Sequence, residues 1–426
     1  MARRQVVVTG LGIVAPQFCS INEFWNGLVS GTTAVRPFDG YGLINVAAPA
    51  AFSGSIDDFE SQDTAQQKAI RKNLKVMSRE IQMAVAASCR ALTNSGIHIG
   101  QFPADRAGIV FGSDYILTTV DDVLDGIRAC TDDSRFDFSR WGTTGLCKMQ
   151  PLWQLKYLPN MPSSHIAILN DFHGPSNSMT LREASVGAVI GEAVKTIADG
   201  RADFIVAGTT GSRLHPFKML HAVQQEEISP DACRPFDLNR NGTVLGEGAA
   251  AVILEEREHA ENRGAKIWAE TVCGIYLADC RRHRLDDTAT ELRSLTRALG
   301  HVLLQSGTAP ESVGHINAHG LGSKMFDAAE AAAIQEVFGG RCERIPVTAL
   351  KGMFGNLGAG SGMIELIAGI LALNHGTLFP TVNHATADTD CPINIVTDTA
   401  VPSGDSFIKT AFNRQGQASA VLVKKV

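Results

Sequence analysis

The chain has 426 residues, enough for two or three core-sized units, with 44% hydrophobic and 19% charged residues, the make-up of an ordinary folded globular protein. A formal net charge of −6 gives no electrostatic reason to expect nucleic acid or an anionic membrane as partner, and no apolar run approaches the ~18 residues of a spanning helix. Nine cysteines stand singly at 19, 89, 130, 147, 233, 273, 280, 342 and 391 with no CxxC pair; this argues against a disulfide framework or a zinc or other metal site and for a reducing, cytoplasmic setting.

In chain order, MARRQVVVTGLGIVAP makes a weak signal peptide, and QVVVTGLG reads better as a buried strand followed by a turn. The polar stretch 57–74 reads as surface structure. SREIQMAVAASCRALTNSG (78–96) has a helical pattern, and AGIVFGS (107–113) reads as a strand. Much of 125–160 is again surface-like. The helical VGAVIGEAVKTIADG (186–200) precedes strands at DFIVAGTT (203–210), AAAVILEE (249–256) and GHINAHG (314–320). GMIELIAGILALNHG (362–376) is a further helix. Strands alternating with helices predict an α/β class with a mixed or parallel sheet. The 41 glycines lie mostly inside apolar segments, which predicts close backbone packing.

One internal echo stands out. ASVGAVIGEAVKTIADG (184–200) resembles GAGSGMIELIAGILALNHG (358–376): a small-residue start, an apolar helix, then a polar end and Gly. The pair predicts two related halves. Both helices are poor in charge all round, so both should be buried, with unpaired N–H groups at their starts facing the interior. Such a start suits an anionic nucleophile or a carboxylate.

Glu183 falls at one of these starts. In TLRE, Thr180 and Glu183 fit a capping box, which needs no chemistry. His319 follows a strand in INAHG, where α/β folds place reactive groups and also structural histidines. Asn356 sits in the glycine-dense KGMFGNLGAGSG, as a ligand-facing group or as a turn former. Lys351 and Glu365 flank it; the plain reading is an exposed ion pair.

These motifs together resemble the β-ketoacyl-acyl-carrier-protein synthases, most closely the elongating synthases of type II fatty acid and polyketide assembly. The resemblance is carried by RPFDLNRNGTVLGEGAAAVILEEREHAENRGAKIWAE (234–270), VVVTGLGIVAP, INAHG with Asp327 and Glu330 after it, KGMFGNLGAGSG and the final SAVLVKK. It implies a thiolase-like fold, two pseudo-symmetric halves (1–258 and 259–426) in five αβαβα layers, usually as a dimer. It also implies decarboxylative condensation of acyl and malonyl groups carried on acyl carrier protein, with no separate cofactor. In that reaction a cysteine at a buried helix start accepts the acyl chain, and two donors polarise the malonyl thioester.

Here Glu183 stands where that cysteine would be, and neither Cys147 nor Cys233, the nearest in sequence, replaces it. His319 matches the first donor and Asn356 the second, which is asparagine in the initiating group of the family. Lys351 and Glu365 match the family's lysine and glutamate, with Asp327 in support. FNRQGQA (412–418) departs from the family's glycine loop and puts Arg414 at the gate and oxyanion position, where it is expected to pair with Glu183. Condensation is therefore expected to be lost. Relatives without the cysteine are chain-length factors, which usually carry glutamine and pair with an active synthase; loading modules that decarboxylate malonyl groups also carry glutamine. Three roles stay open: a partner subunit in a heterodimer with a cysteine-bearing synthase, a stand-alone thioester enzyme using Glu183, His319 and Asn356, and a carrier-binding homodimer. Lys68, Arg71, Lys72 and Lys75 form a basic cluster at helical spacing that could dock an acidic carrier or simply be a solvated face.

Overall fold

The computed structural model describes residues 4–279 and 289–426; Cys280 and the first three residues lie outside these. The N-terminal half supplies strands β1 (Val6–Val14), β2 (Ala107–Ser113), β3 (Ser176–Met179), β4 (Phe204–Ser212) and β5 (Leu245–Glu256). Its helices are α1 (Arg79–Ser95), α2 (Met161–Asn170) and α3 (Ser185–Ala198). The C-terminal half supplies β6 (Ala269–Ala278), β7 (His315–Asn317), β8 (Pro346–Thr348), β9 (Asn394–Ile395), β10 (Ser406–Phe412) and β11 (Gln417–Lys424). Its helices are α4 (Ala289–Ser306), α5 (Lys324–Phe338) and α6 (Ala359–His375).

The N-terminal strands lie in the order β3-β2-β4-β5-β1 and the C-terminal ones in the order β9-β8-β7-β10-β11-β6. Apart from the extra edge strand β9, the two orders are the same when strands are counted within each half. The directions also agree: β2 is parallel to β3 and β4, as β7 is to β8 and β10, and the last two pairings in each half are antiparallel. This repetition accounts for the sequence echo. α3 and α6 each connect the third strand of a half to the fourth, and both lie between the sheets. One core cluster joins Val186, Val189 and Ile190 of α3, Met363, Ile364 and Ile367 of α6, and strand residues of both halves such as Leu254 and Val421. α1 covers the outer face of the first sheet and α4 with α5 that of the second. The result is the five-layer thiolase-like fold. The expected break after residue 258 lies in the short helix Arg257–Asn262 between β5 and β6.

Close contact of the two central helices depends on small residues. A Cβ on Gly362 of α6 would come within 2.7 Å of Val186 on α3. α6 is buried along almost its full length and α3 along its first turn and inner face, so their starts face protein and not water.

Among the described residues every cysteine is a free thiol, and no helix is long and apolar enough to cross a membrane.

Candidate functional site

The turn Arg182–Ala184 leads into α3, and the glycine turn around Asn356 leads into α6. Pseudo-symmetry therefore sets the starts of the two central helices beside each other, and a strand end brings in His319. Gly355 and Gly358 flank Asn356 with φ of 69° and 63°, values glycine adopts without strain. Arg182 has φ 52°, uncommon for a side chain of its size, so the surrounding contacts must hold it there.

The capping box does not form. Thr180 is exposed, and no side chain caps the turn or α3. Glu183 turns inward instead, 5% exposed, and its Oε1 accepts a hydrogen bond from Asn356 Nδ2 at 3.1 Å. The Asn356 amide is oriented from its other end, where Oδ1 accepts from the Gly358 N–H at 2.9 Å and from Ser361 Oγ at 3.4 Å. Glu183 Oε2 is buried and receives no hydrogen bond from the protein.

The guanidinium in ion-pair reach of Glu183 is that of Arg182, with Nε 3.8 Å from Oε2. The expected partner was Arg414. Arg414 instead lies over the Phe326 ring at 5.5 Å, and its charge acts on Glu226. Arg182 also faces Glu226 at 3.5 Å and Asp114 at 3.8 Å, and Arg213 clamps Glu226 with hydrogen bonds of 2.6 and 2.9 Å. Glu183, then Asp114 and Glu226, raise the Arg182 pKa despite burial. Burial raises the Glu226 carboxyl, but Arg213, Arg182 and Arg414 outweigh it and hold it below the usual range. The reason the neighbour wins over Arg414 is the left-handed backbone at Arg182, which folds its side chain back toward Glu183, Asp114 and Glu226. Asp114, Arg213 and Glu226 lie far from Glu183 in the sequence and carry no local signal there.

The second cluster lies behind His319. Lys351 Nζ is 3.1 Å from His319 Nδ1 and donates to the His319 carbonyl and to Glu365 Oε1, both at 2.7 Å. Lys409 Nζ stands 2.7 Å from Glu365 Oε2. Lys351, Glu365 and Lys409 are all fully buried. The plain reading of Lys351 and Glu365 as an exposed pair is thereby overturned: Glu365 sits on the buried helix α6, and Lys351 opens the short buried helix Lys351–Phe354 that follows β8. Lys409 was missed, because one lysine in an otherwise apolar strand gives no hint of its partner. An ammonium only donates, so His319 Nδ1 is the acceptor and the proton of the neutral ring resides on Nε2, a tautomer assigned from this network. Burial, then Lys351 and Lys409, hold His319 well below its ordinary pKa.

Asp327 and Glu330 shape the loop after His319. Asp327 accepts from the N–H groups of Phe236, Leu321 and Gly322, and Glu330 from those of His319 and Gly320 and from Thr410. Burial pushes the Asp327 carboxyl up to about 7. Burial likewise lowers His315, in β7, to about 4. His315 carries a pH prediction. Below the unfolded value of 6.5 the unfolded chain takes a proton that native His315 refuses, so its contribution falls by about 1.4 kcal/mol per pH unit until the native ring titrates near 4. Asp327 acts with the opposite sign over an overlapping range. The measurable quantity is therefore the difference in urea stability between wild type and His315→Phe, which should shrink or reverse as pH falls from 6.5 to 4. A constant difference would contradict the burial account.

Glu183, His319, Asn356 and Arg414 line one cavity of about 60 Å³, with Arg182, Glu226 and Phe412. That is space for on the order of four waters. Asn413 donates to the Leu181 carbonyl at 3.1 Å and ties the 412–418 turn to the Glu183 turn. Lys68, Arg71, Lys72 and Lys75 are exposed on helix Thr64–Asn73 and the turn after it, and none lines the cavity. Among the described residues no group of three or more His, Cys, Asp or Glu is arranged to hold a metal.

Comparison with known proteins places the chain in a family. The family model described as Beta-ketoacyl synthase, N-terminal domain, matches residues 3–260, and that for the C-terminal domain matches 271–385. The chain is 31% identical to 3-oxoacyl-[acyl-carrier-protein] synthase 2 of Synechocystis sp. over 93% of its own length and 92% of the relative's. It superposes on a structure described as the ishigamide ketosynthase/chain length factor with TM-score 0.85 at 24% identity, each chain covered completely. A type II polyketide ketosynthase in complex with its acyl-carrier protein gives 0.83 at 23% identity, again with full coverage. The two structures support the fold, and the sequence matches carry the assignment: this chain belongs to the β-ketoacyl synthase family.

Proposed function

We propose that the chain is a non-condensing member of its family that binds acyl carrier protein and serves as partner subunit to a cysteine-bearing synthase, in the manner of a chain-length factor. The observation that carries this reading is the hydrogen bond from Asn356 to Glu183. On this reading Glu183 stands in for the acyl-accepting thiol, and the bond engages the Asn356 amide that would otherwise polarise a malonyl carbonyl. A carboxylate is a weak acyl acceptor from a thioester, and an anhydride formed there would hydrolyse. The small cavity adds support, since about 60 Å³ cannot hold a long acyl chain. The ketosynthase/chain length factor pairing belongs to the neighbour in the comparison and motivates the test. Co-expression with a cysteine-bearing synthase should give a stable heterodimer on size exclusion, while the chain alone shows no condensation. Condensation by the isolated chain would overturn the reading.

The exposed basic cluster is the proposed carrier surface. Arg71→Glu with Lys72→Glu should weaken carrier binding by about tenfold or more at low salt, with a smaller effect at high salt. Unchanged affinity in a calorimetric titration would place docking elsewhere.

A second reading is decarboxylation of malonyl-carrier. It is favoured by His319, whose Nε2–H remains a donor at the cavity. It predicts CO2 release by the chain alone, abolished in His319→Ala.

A further inference from the structure

We infer that the Glu183 cavity is a hydrolytic site for short acyl thioesters, with Glu183 as the base that activates water. The observation is an asymmetry in one carboxylate. Oε1 is held by Asn356, whose own amide is fixed by Gly358 and Ser361. Oε2 is buried, receives no hydrogen bond from the protein and belongs to a side chain that lines the cavity. A carboxylate anchored through one oxygen, with the other free of hydrogen bonds and only the Arg182 Nε beside it at 3.8 Å, is arranged to accept a proton from a small donor entering that cavity. The cavity admits water, and His319 also lines it, its donor being Nε2–H because Lys351 engages Nδ1. Base and donor thus line one cavity.

The substrate class rests on the carrier-thioester reading above. Water attacks the thioester carbonyl carbon, and its proton passes to Glu183 Oε2 as the C–O bond forms. The oxyanion receives the His319 Nε2–H hydrogen bond. The C–S bond then breaks, its electron pair leaves with sulfur, and the proton held by Glu183 passes to the thiolate. The products are a carboxylic acid and a thiol, with no change of oxidation state and no co-reactant but water. The cavity's small volume favours a short acyl group. In an assembly with a condensing partner, such a site would clear short acyl groups from the carrier.

The test uses the purified full chain with acetyl-CoA, octanoyl-CoA and acetyl-carrier. Thiol release from the acetyl substrates should exceed buffer by about 100-fold or more and fall by a similar factor in Glu183→Gln, which keeps the Asn356 contact but cannot take a proton. Octanoyl-CoA should be at least about tenfold slower. Single turnover in ¹⁸O-water should place the label in acetate and none in the Glu183 peptide. Release at the buffer rate by a chain that still binds carrier would overturn the inference and leave the carrier reading intact. Hydrolysis of acetyl-CoA without any carrier binding would support the inference and sink the carrier reading. Label in Glu183 would show attack by the carboxylate itself and overturn the water mechanism, as would an unchanged rate in a folded Glu183→Gln protein.

Discussion

Glu365→Ala is expected to destabilise the chain by about 3–5 kcal/mol, the range for removing one partner from a buried charge cluster. Glu365 contacts both Lys351 and Lys409, at 2.7 Å each, and all three side chains are fully buried. Truncating it leaves two ammonium groups facing each other with no anion between them. The large term is that residual charge and not the lost hydrogen bonds, which net only about 1 kcal/mol each. Replacing all three residues together, as Lys351→Met with Glu365→Leu and Lys409→Met, should therefore cost less than Glu365→Ala alone. Urea unfolding midpoints compared among the three proteins check this. A triple variant less stable than the single one would mean that shape, and not charge, dominates the cluster.

Glu183→Cys is expected to convert a chain that takes no acetyl group from acetyl-carrier into one that takes about one. The thiol would stand at the start of buried α3, where unpaired N–H groups and the helix dipole favour a thiolate. It would also release the Asn356 amide from its bond to Glu183. The adduct is located by peptide mass mapping, which separates it from the exposed Cys147. A folded Glu183→Cys protein that stays unacetylated would show that Arg182 and Arg414 close the site, whatever the nucleophile.

The sequence already contained the order of the halves. The echo between 184–200 and 358–376 corresponds to α3 and α6, which occupy the same place in each half. Long periodic segments such as 78–96 became helices close to their expected limits. Short strands were less legible: β3, β8 and β9 have four, three and two residues, too few to show a period. His319 and Asn356 could be picked out because they sit in strand-end and glycine-rich motifs, whereas Lys351 and Glu365 stood out only through the family resemblance. The Arg182–Glu226–Arg213 network could not, since its members come from separate segments and meet only after folding. The pairing of Glu183 with Arg414 failed for a local reason. Backbone geometry at Arg182 turns the neighbouring cation onto Glu183, and no sequence pattern encodes that φ.

The most direct test of the account follows the acyl group itself. The chain is mixed with a cysteine-bearing synthase partner, loaded with labelled acyl-carrier, and each subunit is read by intact mass. The label should appear on the partner's thiol alone, and condensation should require both subunits. A stable acyl adduct on this chain, or a partner equally active without it, would contradict the account.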